Sequence, residues 1–254
     1  MTVLCYHTVE SGWESPLAVR PEAFEQQAEW LARRRRVVDL PEAKRRFDGR
    51  GQLPPGWALL TFDDGFDGVY HHAFPVLRRL GLPATVYVVT RTLHDRETPV
   101  DWVREDVVPR DLRCLDRDQI LEMRAAGIRF GSHTVTHRDL PELTFAEQLQ
   151  ELRQSREALE DLLGERIDTV AYPRGHHDRV TREAARSAGY FVAFSLPERR
   201  EPVGPLAVPR TGIYRVNTLR GLRVKTQPGY LRLRLAGTSP QSRRRVAGLL
   251  RLRR

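Results

Sequence analysis

The sequence predicts an α/β fold with parallel strands. Short apolar clusters alternate with segments of helical period along most of the chain, and Pro and Gly punctuate the helical segments at their starts and ends. At 254 residues, 40% hydrophobic and 30% charged, the chain is long enough to fill the core of one such domain.

In chain order, strands are expected at 3–7, 37–40, 58–62, 84–89, 128–132, 169–172 and 191–194. Each is a short apolar cluster. Helices are expected at 21–34, 41–47, 69–80, 118–126, 144–163 and 179–188. Pro21-Glu22 and Pro41-Glu42 place proline in a first turn, where its missing N–H costs nothing. Gly81, Gly127 and Gly189 fall just past helix ends. Seven parallel strands can close into a barrel or stay an open sheet, and periodicity does not choose between them. In either case functional residues gather at the strand C-terminal ends. His7, Asp63-Asp64, His133 and Tyr172-Pro173 all fall there. The long polar stretch 91–116 is a candidate lid or insertion, and Trp102 within it is expected to pack onto the body.

The net charge of +9 would suggest nucleic acid if it were spread over the chain. It is not, since residues 220–254 hold 11 Lys/Arg and no Asp or Glu. The division expected is therefore a globular part at 1–219, slightly negative, and a basic tail at 220–254. The segment 243–254 mixes cations with Val and Leu at roughly helical spacing, which suits an anionic membrane surface. Nucleic acid is not expected, because no platform of interleaved aromatics accompanies the tail. Cys5 and Cys114, two and far apart, read as reduced thiols. No apolar run is long enough to span a membrane, and the first residues lack the basic and apolar regions of an export signal. The expectation is a cytoplasmic protein, peripheral on the inner membrane face.

Three segments hold the chemistry. Thr61-Phe62-Asp63-Asp64-Gly65 ends a strand in two carboxylates. Successive strand side chains point to opposite faces, so the two need not share a role. Either could instead cap the next helix through an Asx turn. His133 and His137, four apart, can meet on one face of a helical turn or tight loop. One carboxylate and two neutral imidazoles suffice for a catalytic ion with an open position. The donor set favours Zn2+, with Co2+, Ni2+ or Fe2+ as alternatives. In Ala171-Tyr172-Pro173-Arg174-Gly175, Pro173 and Gly175 fix a turn that can offer a backbone N–H to an oxyanion. His176 and His177 read as polar residues of the rim.

Taken together, these segments resemble the three motifs of the polysaccharide deacetylases of carbohydrate esterase family 4, the NodB homology family, over roughly residues 1–215. The resemblance implies a distorted (β/α) barrel of about seven strands. It makes Asp63 the base, with Asp64, His133 and His137 on a divalent metal, and Tyr172 to Gly175 at the substrate and oxyanion side. It implies an N-acetylated glycan or lipid-linked sugar as substrate. Two departures stand out. Ala171 occupies a place where many members have an arginine that orients the base, and Arg210 in Val208-Pro209-Arg210-Thr211-Gly212 is the candidate substitute. A C-terminal Leu-x-His motif is absent. Leu4-Cys5-Tyr6-His7 instead resembles the poly-N-acetylglucosamine deacetylase subgroup, in which an N-terminal Tyr-His supplies the acid, here His7. The competing readings are an amidase or deformylase acting on a small N-acyl compound or lipid-linked sugar, and a non-catalytic glycan-binding or membrane-surface scaffold.

Overall fold

The computed structural model describes residues 2–47, 53–95, 97–103, 108–109 and 111–236. In chain order its strands and α-helices are β1 (Thr2–Tyr6), β2 (Thr8–Val9), β3 (Ala18–Val19), α1 (Pro21–Arg34), β4 (Arg36–Val37), α2 (Leu40–Arg46), β5 (Trp57–Phe62), α3 (Phe74–Leu80), β6 (Thr85–Val88), α4 (Arg117–Ala125), β7 (Arg129–Ser132), α5 (Phe145–Leu163), β8 (Thr169–Ala171), α6 (Arg179–Ser187), β9 (Val192–Ser195), β10 (Val208–Pro209), β11 (Thr211–Gly212), α7 (Leu219–Lys225) and α8 (Tyr230–Ala236). Apart from the small β2–β3 pair, the strands form one parallel sheet in the order β10-β9-β8-β7-β6-β5-β1-β11, with β4 also on β5.

The sheet is closed nearly into a barrel by residues 208–212. Val208 and Pro209 pair with β9, while Thr211 and Gly212 pair with β1 at the other end of the sheet. One continuous segment thus changes partner at Arg210. This resolves the choice between barrel and open sheet in favour of the distorted barrel. The closing strands are two residues long and interrupted by Pro209 and Gly212, too short for an apolar pattern to reveal them.

Period-two alternation sorts each strand between two cores. In β5, Leu59 joins the barrel interior with Val3, Tyr87, Ala171, Phe194 and Val208. Leu60 and Phe62 face the helices, in a larger cluster with Leu4, Tyr6, Val86, Val170 and the apolar stripes of α1, α4 and α5. Full burial of a side chain such as Leu59 or Phe62 stabilises the fold by about 1.5–3 kcal/mol.

Several expected boundaries change for local reasons. The strand expected at 37–40 stops at Val37 because the Asp39 side chain accepts from Glu42 N at 2.9 Å and starts α2 at Leu40. The helix expected at 69–80 opens as a π turn over Val69–Ala73 before α3, where Pro75 cannot donate to the preceding turn. The first residues of the basic segment beginning at residue 220 pack on the body. Thr218 caps α7, Leu222 is fully buried, and Lys225 Nζ donates to Gly212 O at 2.7 Å. The start of the cationic segment is therefore part of the body. Residues 243–254 lie outside the described residues. Among the described residues no helix is long and apolar enough to cross a membrane.

Candidate active site

Alternation along β5 turns Leu59 and Thr61 inward, and Asp63 follows them at the C-terminal end, its N–H on Tyr6 O at 2.9 Å. The next residue would point toward the helices if the strand continued. It does not, because Asp64 has φ +68° and Gly65 φ +71°. This left-handed step brings both carboxylates into one cavity of about 270 Å³. Among the described residues, the four non-glycine residues with positive φ all lie in the three predicted segments: Asp64, Thr134, His137 and Arg174. Such conformations cost of order 1–3 kcal/mol each and persist where the surroundings over-determine them.

His133 follows β7. Gly131 beneath it is required by packing, since a Cβ there would lie 2.4 Å from the Tyr87 ring. His133 Nδ1 pairs with Ala171 O at 2.8 Å, which leaves Nε2 facing Asp64 Oδ1 at 3.7 Å. His137 Nε2 stands 3.3 Å from the same oxygen. The two imidazoles meet through a tight loop rather than a helical turn. That loop is pinned by Glu151 of α5, which accepts from Val135 N, Thr136 N and Thr136 Oγ1 at 3.0, 2.9 and 2.6 Å.

Ligand atoms of Asp64, His133 and His137 lie within 4.8 Å of one another, and all three residues are buried. Burial, reinforced by the neighbouring Asp63 charge, pushes Asp64 up to about 7. Burial also lowers both histidines, so their rings are neutral and their lone pairs free. A desolvated carboxylate facing two neutral Nε2 atoms fits a divalent cation, which would supply the compensating charge that the protein omits.

Asp63 has the opposite surroundings. Arg210 Nη1 and Nη2 donate to its two oxygens at 2.6 Å each, and Cys5 Sγ lies 3.3 Å from Oδ2. Burial raises its proton affinity, but the Arg210 guanidinium holds the carboxyl well below the usual range. Arg210 is itself fully buried, donates to Thr61 Oγ1 at 3.1 Å, and packs against both the Tyr87 and Phe194 rings, 5.8 and 5.7 Å from their centroids. It thus makes a bidentate contact with Asp63, which the methyl side chain of Ala171 cannot make.

His7 borders the same cavity beside Tyr214, with ring centroids 6.2 Å apart. Burial lowers it to about 4. Its nearest titratable neighbours are Asp63 and Cys5, with candidate donor atoms again within 4.8 Å.

The third segment contributes less side-chain chemistry than the sequence suggests. Tyr172 faces the helix-side core with its hydroxyl on Leu206 O at 3.0 Å, and Pro173 is buried. These two and Gly175 shape the turn. Gly175 is obligatory, because a Cβ would meet Leu196 N at 2.2 Å. Only Arg174 of the four lines the cavity. His176 pairs with Asp139 at 2.8 Å and His177 lies 3.2 Å from Glu201, so neither joins the carboxylate–histidine cluster. Sequence reasoning missed Glu151, Thr61 and the contact of Trp102 with Asp64. The one available signal was a lone Trp in a polar insertion.

A parallel barrel with a carboxylate pair, two histidines and a buried guanidinium at its mouth defines a hydrolase of the amide- or ester-cleaving type. The polysaccharide deacetylase family profile matches residues 50–193, more than half of the chain, and the protein belongs to that family. It is 27% identical to YxkH of Bacillus subtilis over 231 residues, covering 90% of this chain and 72% of that one. It is 23% identical to the poly-beta-1,6-N-acetyl-D-glucosamine N-deacetylase of Staphylococcus aureus, covering 72% of this chain and 62% of that enzyme. Among solved structures, the Streptococcus pyogenes deacetylase PplD in complex with acetate superposes with TM-score 0.75 at 24% identity, covering 90% of this chain and 98% of that one. IcaB from Ammonifex degensii gives 0.71 at 26%, covering 89% and 96%.

Proposed function

We propose that this deacetylase removes N-acetyl groups from an N-acetylglucosamine-type glycan, using a divalent metal held by Asp64, His133 and His137, with Asp63 as base and His7 as acid. The observation that supports it most directly is the split between the two aspartates. One is charge-paired and oriented by Arg210; the other faces two neutral imidazoles.

The ion, Zn2+ by donor set, would act as a Lewis acid toward the acetyl carbonyl. Asp63, fixed by two guanidinium hydrogen bonds, takes the proton of the attacking water. Its low proton affinity means that it passes the proton on. His7, neutral at rest, has a ring nitrogen within 4.8 Å of an Asp63 oxygen, a span that a water bridges, and in this reading takes up the proton and delivers it to the leaving amine as acetate forms. The backbone N–H of Arg174, at the cavity edge, is the candidate donor to the developing oxyanion. Support for the glycan comes from the staphylococcal relative, named for poly-beta-1,6-N-acetyl-D-glucosamine.

The test is metal quantification on natively purified protein, coupled to acetate release from β-1,6-linked N-acetylglucosamine oligomers. One bound transition metal with acetate release supports the reading; a metal-free protein that still releases acetate overturns it. For residues 220–254 we infer contact with an anionic membrane surface, supported by 11 cations without an acidic residue. Equal co-sedimentation with anionic vesicles, with and without residues 240–254, removes that idea.

A further inference from the structure

Trp102 touches all three strand-end segments at once. Its indole N–H donates to Asp64 Oδ1 at 2.9 Å, the oxygen that also faces both histidine Nε2 atoms. Its ring stacks on His137, with centroids 5.7 Å apart and planes 27° from parallel. Its carbonyl accepts from Arg174 Nη2 at 3.2 Å. It is also held by Phe66, stacked at 6.4 Å, and by the Arg91 guanidinium 5.0 Å from the ring centroid, itself paired with Asp101. The side chain is 7% exposed.

These contacts matter because of what His137 lacks. Its Nδ1 is buried and has no hydrogen-bond partner among the described residues, whereas His133 Nδ1 is fixed by Ala171 O. The plane of the His137 ring is therefore set by packing, against the indole on one side and the His133 ring, 4.8 Å away, on the other. The indole N–H also uses one lone-pair direction of Asp64 Oδ1, which fixes the rotation of the carboxylate.

We propose that Trp102 is a positioning residue for the metal: its N–H orients Asp64 and its ring orients His137, tying the insertion after β6 to the ion. This rests on the assignment of Asp64, His133 and His137 as metal ligands and goes beyond it by adding a supporting residue from outside the three motifs. Outer-shell partners of metal ligands are commonly worth 10–100-fold in metal affinity.

The experiment titrates metal-free full-length protein with Zn2+ and Co2+ by calorimetry and records the Co2+ absorption spectrum. Trp102→Phe keeps the stacking and deletes the donor; Trp102→Leu deletes both. We expect affinity about 10-fold weaker for the Phe variant and up to about 100-fold weaker for the Leu variant, with a shifted Co2+ spectrum in both. Circular dichroism checks folding, and the Phe variant, which retains the ring contacts, decides if the Leu variant fails to fold. Parent-like affinity and spectrum in the Phe variant overturn the role of the Trp102 N–H while leaving the metal assignment standing. A parent protein that binds neither ion overturns both.

Discussion

Asp63 and Asp64 are adjacent in sequence, equally buried at 3% exposure, and border one cavity, yet the protein treats them oppositely. Asp63 belongs to the strand-built interior. Arg210 and Cys5 reach it from the segment that closes the barrel and from β1, with Thr61 of β5 holding Arg210. Asp64 belongs to the loop-built rim, where left-handed residues and an indole arrange neutral donors around a carboxylate. Its proton affinity is raised, while that of Asp63 is lowered. The contrast shows how one dipeptide yields two opposite electrostatic environments. The rigid sheet brings a fixed countercharge to one residue, and the loops leave the other to be neutralised by a ligand.

The sharpest break in this comparison is Asp63→Asn. It should lower kcat by roughly 10²–10⁴ while leaving metal stoichiometry at the parent value, whereas Asp64→Asn should lose the metal as well; equal metal loss in both would erase the division. Next comes Arg210→Met, which leaves Asp63 buried and unpaired. Denaturant unfolding should show a cost of about 3–5 kcal/mol. Adding Asp63→Asn to it should recover part of that loss, and strict additivity would mean that the pair is not coupled.

The third prediction concerns pH. Asp64 is raised in the folded state to about 7. Its contribution to stability is thus fully present below its unfolded value, near 4, and is lost as pH rises through 7. A shift of this size corresponds to about 4 kcal/mol. Over the same window the lowered His7, His133 and His137 act in the opposite direction, so the Asp64 part is read as a difference: metal-free parent should lose thermal stability relative to metal-free Asp64→Asn as pH rises from about 4 to 7. A difference between the two proteins that does not change with pH would contradict it. The smallest effect tests the strand side. Gly131→Ala places a methyl against Tyr87 and should cost about 1–3 kcal/mol, measured by thermal unfolding, with His133 displaced enough to weaken metal affinity.

Much of this site was legible because its residues are local. Asp63-Asp64, His133 and His137 sit at strand ends whose apolar runs are plain, and helix α1 matches its expected span, Pro21–Arg34. The N-terminal Tyr-His pair was legible through family pattern, and its ring does border the cavity. What was hidden depended on distance or on short elements. Glu151 lies in the middle of an amphipathic helix, where a glutamate ordinarily reads as solvent-facing. Tyr172 looked like a site residue by position, but strand alternation sends its side chain to the helix-facing core. Charge counting placed the tail at residue 220, although Leu222 and Thr226 beyond it are buried.

By itself the sequence determined the parallel α/β pattern, the strand ends at which chemistry gathers, and the residue types for a metal and a proton acceptor. These follow from period, capping and ligand chemistry, all of which act over a few neighbours. Only the tertiary structure decided that the sheet closes through residues 208–212, and hence that Arg210 enters the barrel to meet Asp63, 147 positions away in the chain. It alone decided that a left-handed Asp64 turns back to face the histidines and Trp102. Both outcomes are set by packing between distant segments, and no local propensity encodes which charge a buried carboxylate will meet.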